Sequence, residues 1–368
     1  MKKSFIFSLI AVGIVLLSSC KDKLNLIGDA KESAVVIGIL DKSNSTHYVK
    51  ITRSFIGDGV TSAIDIAKIS DSSYFQNIDV KVEELVSGSI TRTFNLVDTM
   101  INEKNTNGVF YAPDQKVYVF YTTESNPLRT DATYRLKATI DGGRMVITGE
   151  TKLVDGVTAG SWSAPNSAFK FTSSGNTLGE YANQSIAYSS VGNSYKLNCK
   201  TFFEYIEYTT GMADSTIGSI GFDLGEYSTN PSSSQQFVLN GSTFYQTIKD
   251  KIPVSNSIEK RVFYRFKLVA TGASRELANY IEINKPSTSL AQTKPTFTNL
   301  KITEGFTVLG IFASRQTNVV YKNAVGPTAF VQALDKKSRR ELCVGPTTGA
   351  LSFCSNHTGD GTETWHCN

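Results

Sequence analysis

From residue 33 onward, apolar and polar positions alternate in short runs with a period of two. Ala34-Val35-Val36-Ile37-Gly38-Ile39-Leu40 is almost continuously apolar and predicts a buried strand; residues 47–53 alternate as its neighbour after a polar loop. Residues 78–85 alternate nearly strictly, residues 91–97 follow across Gly88, and further strands are predicted at 108–112, 117–122, 134–140 and 145–153. Asp141-Gly142-Gly143 makes the last two a tight hairpin. Roughly eight short strands with no helical period between them predict an immunoglobulin- or fibronectin-like Greek-key β-sandwich over residues 33–155.

The small, polar stretch DGVTAGSWSAPNSA at 155–168 marks the expected boundary of a second domain, 156–320. This domain reads as β-rich with short helices: strands at 194–199, 202–208 and 261–270, helices at 243–249 and 273–282, and a weakly patterned stretch at 209–236. Residues 321–368 form a cysteine-bearing tail expected to pack on that domain. Within it, 328–342 reads as a helix opened by Pro327 with its basic residues late.

The amino terminus has a different pattern. Lys2 and Lys3 precede an apolar run at 5–17, too short for the roughly 20 residues of a membrane span and right for a secretory signal. Leu17-Ser18-Ser19-Cys20 resembles a bacterial lipobox, so residues 1–19 are expected to be a lipoprotein signal peptide and Cys20 the acylated terminus. Residues 20–32 then form a polar spacer to the membrane. Two or more acyl chains anchor stably where one does not. Losing Lys2 and Lys3 lowers the formal charge of +4 by two, and no basic cluster argues for nucleic acid.

Four stretches recur as a set: VVIGILDKSN with HYVKITRS, STFYQTI, ELANYIEINKPSTSLAQTKPTFTNL, and GFTVLGIFASR. Over roughly residues 20 to 320 they resemble the Bacteroidetes outer-membrane lipoproteins of the domain-of-unknown-function 4249 type. The resemblance implies an outer-membrane address, on the periplasmic or the cell-surface face, and a TonB-dependent transporter as partner. It implies no catalytic residues.

Candidate chemistry is sparse. The chain has three histidines, and no H-E-x-x-H, G-x-S-x-G, Walker A or G-x-G-x-x-G motif. His47 reads as a solvent-side strand residue. Glu83 and Glu84 are adjacent on a strand and face opposite ways, so they make no acid–base pair. Phe202, Phe203, Tyr205 and Tyr208 are weighed as a sugar-stacking platform against core on one face and ordinary surface on the other. Asp98-Thr99-Met100 and Asp214-Ser215-Thr216 look like Bacteroidetes O-glycosylation acceptors, at Thr99 and Ser215.

Cys343, Cys354, His357, His366 and Cys367 form the densest constellation. Thiolates and imidazoles are zinc ligands, but this spacing matches no common zinc framework and an exported compartment favours disulfides. With Cys20 acylated, four cysteines allow three connectivities. An Asp360-Gly361 step midway between Cys354 and Cys367 suits a hairpin, so Cys354–Cys367 with Cys199–Cys343 is expected, and Cys343–Cys354 is the next choice. No cofactor or metal is expected. The function expected is a non-enzymatic ligand-capture or accessory lipoprotein for a TonB-dependent transporter, its small-molecule, glycan or peptide ligand unspecified. The alternatives are a secreted hydrolase whose carboxylates meet only in the fold and a structural or adhesive surface protein.

Overall fold

The computed structural model describes residues 32–54, 73–102, 114–159, 168–173, 175, 177–212, 214–229, 235–285, 296–323 and 333–367. The signal peptide, Cys20, most of the spacer and the strand expected at 108–112 lie outside the described residues.

The first eight strands are β1 (Ser33–Asp41), β2 (Thr46–Ser54), β3 (Ile78–Val86), β4 (Ser89–Asn95), β5 (Val97–Asn102), β6 (Asp114–Tyr121), β7 (Thr133–Ile140) and β8 (Met145–Lys152). Hydrogen bonding orders them β1-β2-β6-β5 in one sheet and β8-β7-β3-β4 in the other. Lettered A to G in chain order, with β4 as the extra C′ strand, these are the ABED and GFC sheets of an immunoglobulin-like Greek key. The alternation explains the layering. Val36, Val49, Ile51 and Phe120 from one sheet meet Val80, Val82, Leu136 and Ile147 from the other, and all are buried.

A second feature of that fold is present at the second residue of β7. The Tyr134 hydroxyl accepts from the Arg129 backbone N–H (2.6 Å) and donates to Glu84 Oε2 (2.8 Å), forming a tyrosine corner at the E–F turn. Burial would raise the Glu84 carboxyl, but bonds from Arg92 and Tyr134 outweigh it and hold the pKa below its ordinary value.

The second region contains β9 (Val157–Ala159), β10 (Asn183–Val191), β11 (Lys196–Thr209), β12 (Ser215–Ser228), β13 (Gln235–Asn240) and β14 (Ile258–Ala273). They are followed by β15 (Leu300–Ile302), β16 (Thr307–Asn323) and β17 (Phe353–Cys354). Its helices are α1 (Gly241–Lys251), α2 (Arg275–Asn284) and α3 (Lys336–Val344), with Asn240, Ser274 and Asp335 as side-chain N-caps. The four-strand face β12-β11-β14-β16 and the small sheet β13-β10-β9 enclose a core of Leu197, Phe203, Phe237, Phe244, Phe266 and Trp365, among others.

β16 joins the two regions. Its first half pairs in parallel with β1, from Thr307 beside Ser33 to Arg315 beside Asp41. Its second half pairs antiparallel with β14, from Arg315 beside Ala273 to Asn323 beside Arg265. Side chains alternate along it, so Phe312 seals the sandwich core and Val320 the second core, while Ile311 and Ala313 on the opposite face receive Leu277 of α2. The pairing therefore adds 300–315 to the sandwich expected at 33–155, with β15 beside β8 and β16 beside β1.

Cys354 and Cys367 form a disulfide. Cys199 and Cys343 are not bonded to each other, and both are buried. Cys199 of β11 lies beside Ala270 of β14, whereas Cys343 shares a small cavity with Phe263 of that same β14. Seven residues of strand separate those positions by roughly 23 Å, and a disulfide needs Cα atoms within about 7 Å. The hairpin argument also fails in detail. Gly361 has an ordinary φ of −57°, and residues 358–360 form a short 3-10 turn. Buried Asp360 accepts from Arg339 Nε (2.7 Å) and Nη2 (2.9 Å) and from Ser355 Oγ (2.7 Å). Of the tail helix expected at 328–342, residues 328–332 lie outside the described residues; the described helix is Lys336–Val344, and its Arg339 turns inward to this carboxylate.

Candidate functional site

The aromatic run on β11 divides as strand geometry requires. Phe203 is fully buried, and Tyr205 packs beside it against Phe353 at 5.7 Å. Phe202 points the other way, with Lys267 Nζ 5.6 Å from its ring, and Lys260 Nζ stands 5.6 Å from the Tyr208 ring. A Cβ on Gly221 would come within 3.1 Å of the Phe202 ring, and one on Gly218 within 2.2 Å of Tyr205. The rings of β11 thus lie over glycines of β12, one on each face. The four aromatics make no common platform, because they serve the strand pair and the core.

His47 is 2% exposed, not solvent-side. It stacks on Phe120 with ring centroids 4.7 Å apart, and its Nε2 meets Thr122 Oγ1 at 3.1 Å. Burial lowers its pKa to about 4 against a smaller opposing pull from Asp41, so it stays neutral at physiological pH. Glu83 and Glu84 have separate partners, Arg135 and Arg92. Glu226 and Glu282 do come together, but on Lys196 and Lys285, and the bond from Lys196 holds Glu282 below the usual carboxylate range. Thr99 is half-buried on the sheet-edge strand β5, and Ser215 is exposed where β12 begins. Burial raises the Cys343 thiol to about 12, which keeps it protonated and inert. Among the described residues, no three His, Cys, Asp or Glu side chains cluster as a metal site.

A cleft of about 220 Å³ lies where the two regions meet. One wall is the exit of β8 at residues 152–154, the second is the turn from β10 into β11 with Asn193 and Tyr195, and the third is the start of α2 at Ser274, Arg275 and Glu276. Sequence reading passed over all three walls, because each is an element end without periodicity.

Hydrogen bonds between side chains and backbone tie these walls together. Fully buried Ser314 of β16 accepts from Val154 N–H (3.0 Å), donates its hydroxyl to the Lys152 carbonyl, and donates its N–H to the Ser274 hydroxyl (3.3 Å). Asn193 donates to the Leu153 carbonyl (3.0 Å) and accepts from Asp155 N–H (2.8 Å). The cleft is therefore held in shape by the strand shared between the two regions.

Its chemistry is mixed. Lys152 and Arg275 are exposed and, among the described residues, neither forms an ion pair within 4 Å. Tyr195 is 41% exposed, with the Arg275 guanidinium 5.9 Å from its ring centre. Glu276 is the one carboxylate among the lining residues, and Thr151 Oγ1 donates to it at 3.3 Å. Two cations, an aromatic face and hydrogen-bonding groups are arranged around a space for one small ring.

No family model and no curated protein matches the chain. Among solved structures, it is similar to the C-terminal globular domain of oligosaccharyltransferase from Pyrococcus abyssi, at 10% identity and a TM-score of 0.22. That match covers 60% of this chain and 40% of that one. Among the described residues, no helix is long and apolar enough to cross a membrane.

Proposed function

We propose that the protein is an outer-membrane lipoprotein that captures a small ligand, without chemical turnover, as an accessory to a TonB-dependent transporter. The address rests on the Leu17-Ser18-Ser19-Cys20 lipobox behind a short apolar run, which predicts acylation at Cys20. The capture role rests on one structural observation: a cleft of about 220 Å³, cross-braced through Ser314, sits at the junction of the two regions. Ligand sites favour such junctions.

A non-enzymatic role is favoured over a hydrolase because Glu276 is the one carboxylate lining the cleft. Glycoside hydrolysis commonly uses two, about 5–9.5 Å apart. The TonB-dependent partner follows from the family resemblance alone.

Replacing Cys20 by Ala should release the protein from the membrane fraction, and the wild-type amino-terminal peptide should begin at Cys20 with acyl chains attached. A Cys20→Ala protein that remains membrane-bound and acylated removes the lipoprotein assignment. Co-purification of a TonB-dependent transporter with the acylated protein tests the partner.

A further inference from the structure

We infer that the junction cleft binds a single six-membered sugar ring carrying a carboxylate, a hexuronic acid. The inference rests on the capture reading above and names its ligand class. A space of about 220 Å³ falls below the roughly 300–1,000 Å³ of drug-sized sites, so it takes one ring and not an extended chain. Lys152 and Arg275 flank it with no carboxylate of their own, so two positive charges meet the single negative charge of Glu276. That excess selects an anion. The planar guanidinium of Arg275 can grip a carboxylate through two parallel N–H donors, which fixes the orientation of the ligand as well as its charge.

Tyr195 decides the rest of the ligand. Tyr195 is 41% exposed at the wall of the cleft, and the C–H face of a sugar lies flat on an exposed tyrosine ring. Glu276 then serves as an acceptor for ring hydroxyls beside Thr151, whose hydroxyl already holds the carboxylate in place (3.3 Å). A flat aromatic acid would also satisfy Tyr195 and the cations, but it would bring no hydroxyl to Glu276, leaving that carboxylate to repel its charge. The bonds of Ser314 and Asn193 to the walls mean that little ordering remains to be done on binding.

Titration calorimetry on the full mature chain tests this with four probes: galacturonate, galactose, benzoate and inorganic phosphate. Galacturonate should bind at least about tenfold more tightly than the other three, the scale of one charge-assisted hydrogen-bond set. Arg275→Gln and Lys152→Gln should each weaken it by about tenfold or more, and Tyr195→Ala should weaken galacturonate too. Lys152 and Arg275 are exposed, and unchanged melting curves of the two variants would show that they fold. Galactose binding as tightly as galacturonate removes the role of the cations. Benzoate or phosphate binding as tightly removes the sugar. Absence of galacturonate binding by a protein acylated at Cys20 overturns the ligand class and leaves the capture reading standing. Galacturonate binding by a protein without acyl chains overturns the outer-membrane lipoprotein assignment and leaves the ligand class standing.

Discussion

The sandwich of residues 33–152 and the region from 168 to 367 are both β-rich, yet they are held together differently. The sandwich contains no cysteine. Its strands alternate inward and outward, consecutive strands form hairpins, and one local device, Tyr134 bonded to Arg129 five residues earlier, closes its corner. The second region depends on partners far apart in sequence. Arg261 on β14 donates to Glu207 (2.7 Å) and to the Leu351 carbonyl of the tail (2.7 Å), Arg339 grips Asp360, and a disulfide closes the last turns. The polar pairs of the sandwich join neighbouring strands, as Arg135 to Glu83 does, whereas those of the second region bind the sheet to its own tail.

The comparison is broken most severely at Arg339. Its guanidinium and the Asp360 carboxylate are both buried, and removing one partner leaves the other charge uncompensated. Arg339→Ala should destabilise the second region by roughly 3–5 kcal/mol. Near-ultraviolet circular dichroism in urea, on a Trp162→Phe background that leaves Trp365 as the one tryptophan, reads this. A midpoint unchanged from wild type would show that the ion pair does not hold the tail.

Tyr134→Phe is the smaller, complementary change. It deletes the hydroxyl that donates to buried Glu84 and accepts from Arg129 N–H, at a cost of about 1.5–3 kcal/mol. Hydrogen exchange should rise in β3 and β7 and stay unchanged in the tail. Equal loosening of both regions would mean that the sandwich does not fold as its own unit.

The same contrast explains what could be read from the chain. The sandwich was legible because Ile78–Val86 and Thr133–Ile140 carry their burial pattern in consecutive residues. β12 was missed at 209–236 because Gly218 and Gly221, which leave space for Tyr205 and Phe202 of β11, interrupt its alternation, and only Ile220 and Phe222 of the strand are buried. β16 carries apolar residues on both faces, since its opposite sides meet a core and α2. That run gave no hint that one strand would carry a single sheet across both regions. Cys354–Cys367 was identified from a turn that does not form, while Asp360, chosen as a turn residue, is the buried partner of Arg339. The cleft was invisible because Lys152, Tyr195 and Arg275 are brought together only by the pairing of β16 with β1 and β14.

Two differently secured regions share one strand, with the candidate binding cleft at their junction. Hydrogen exchange on the intact protein, with and without reductant, tests this most directly. Opening the Cys354–Cys367 loop, a separation of 13 residues, should cost about 3 kcal/mol. Protection should fall across 333–367 and at Arg261 and Val262, which pair with β17, while β1 to β8 keep theirs. Protection lost equally from the cysteine-free sandwich, or lost nowhere, would contradict the account.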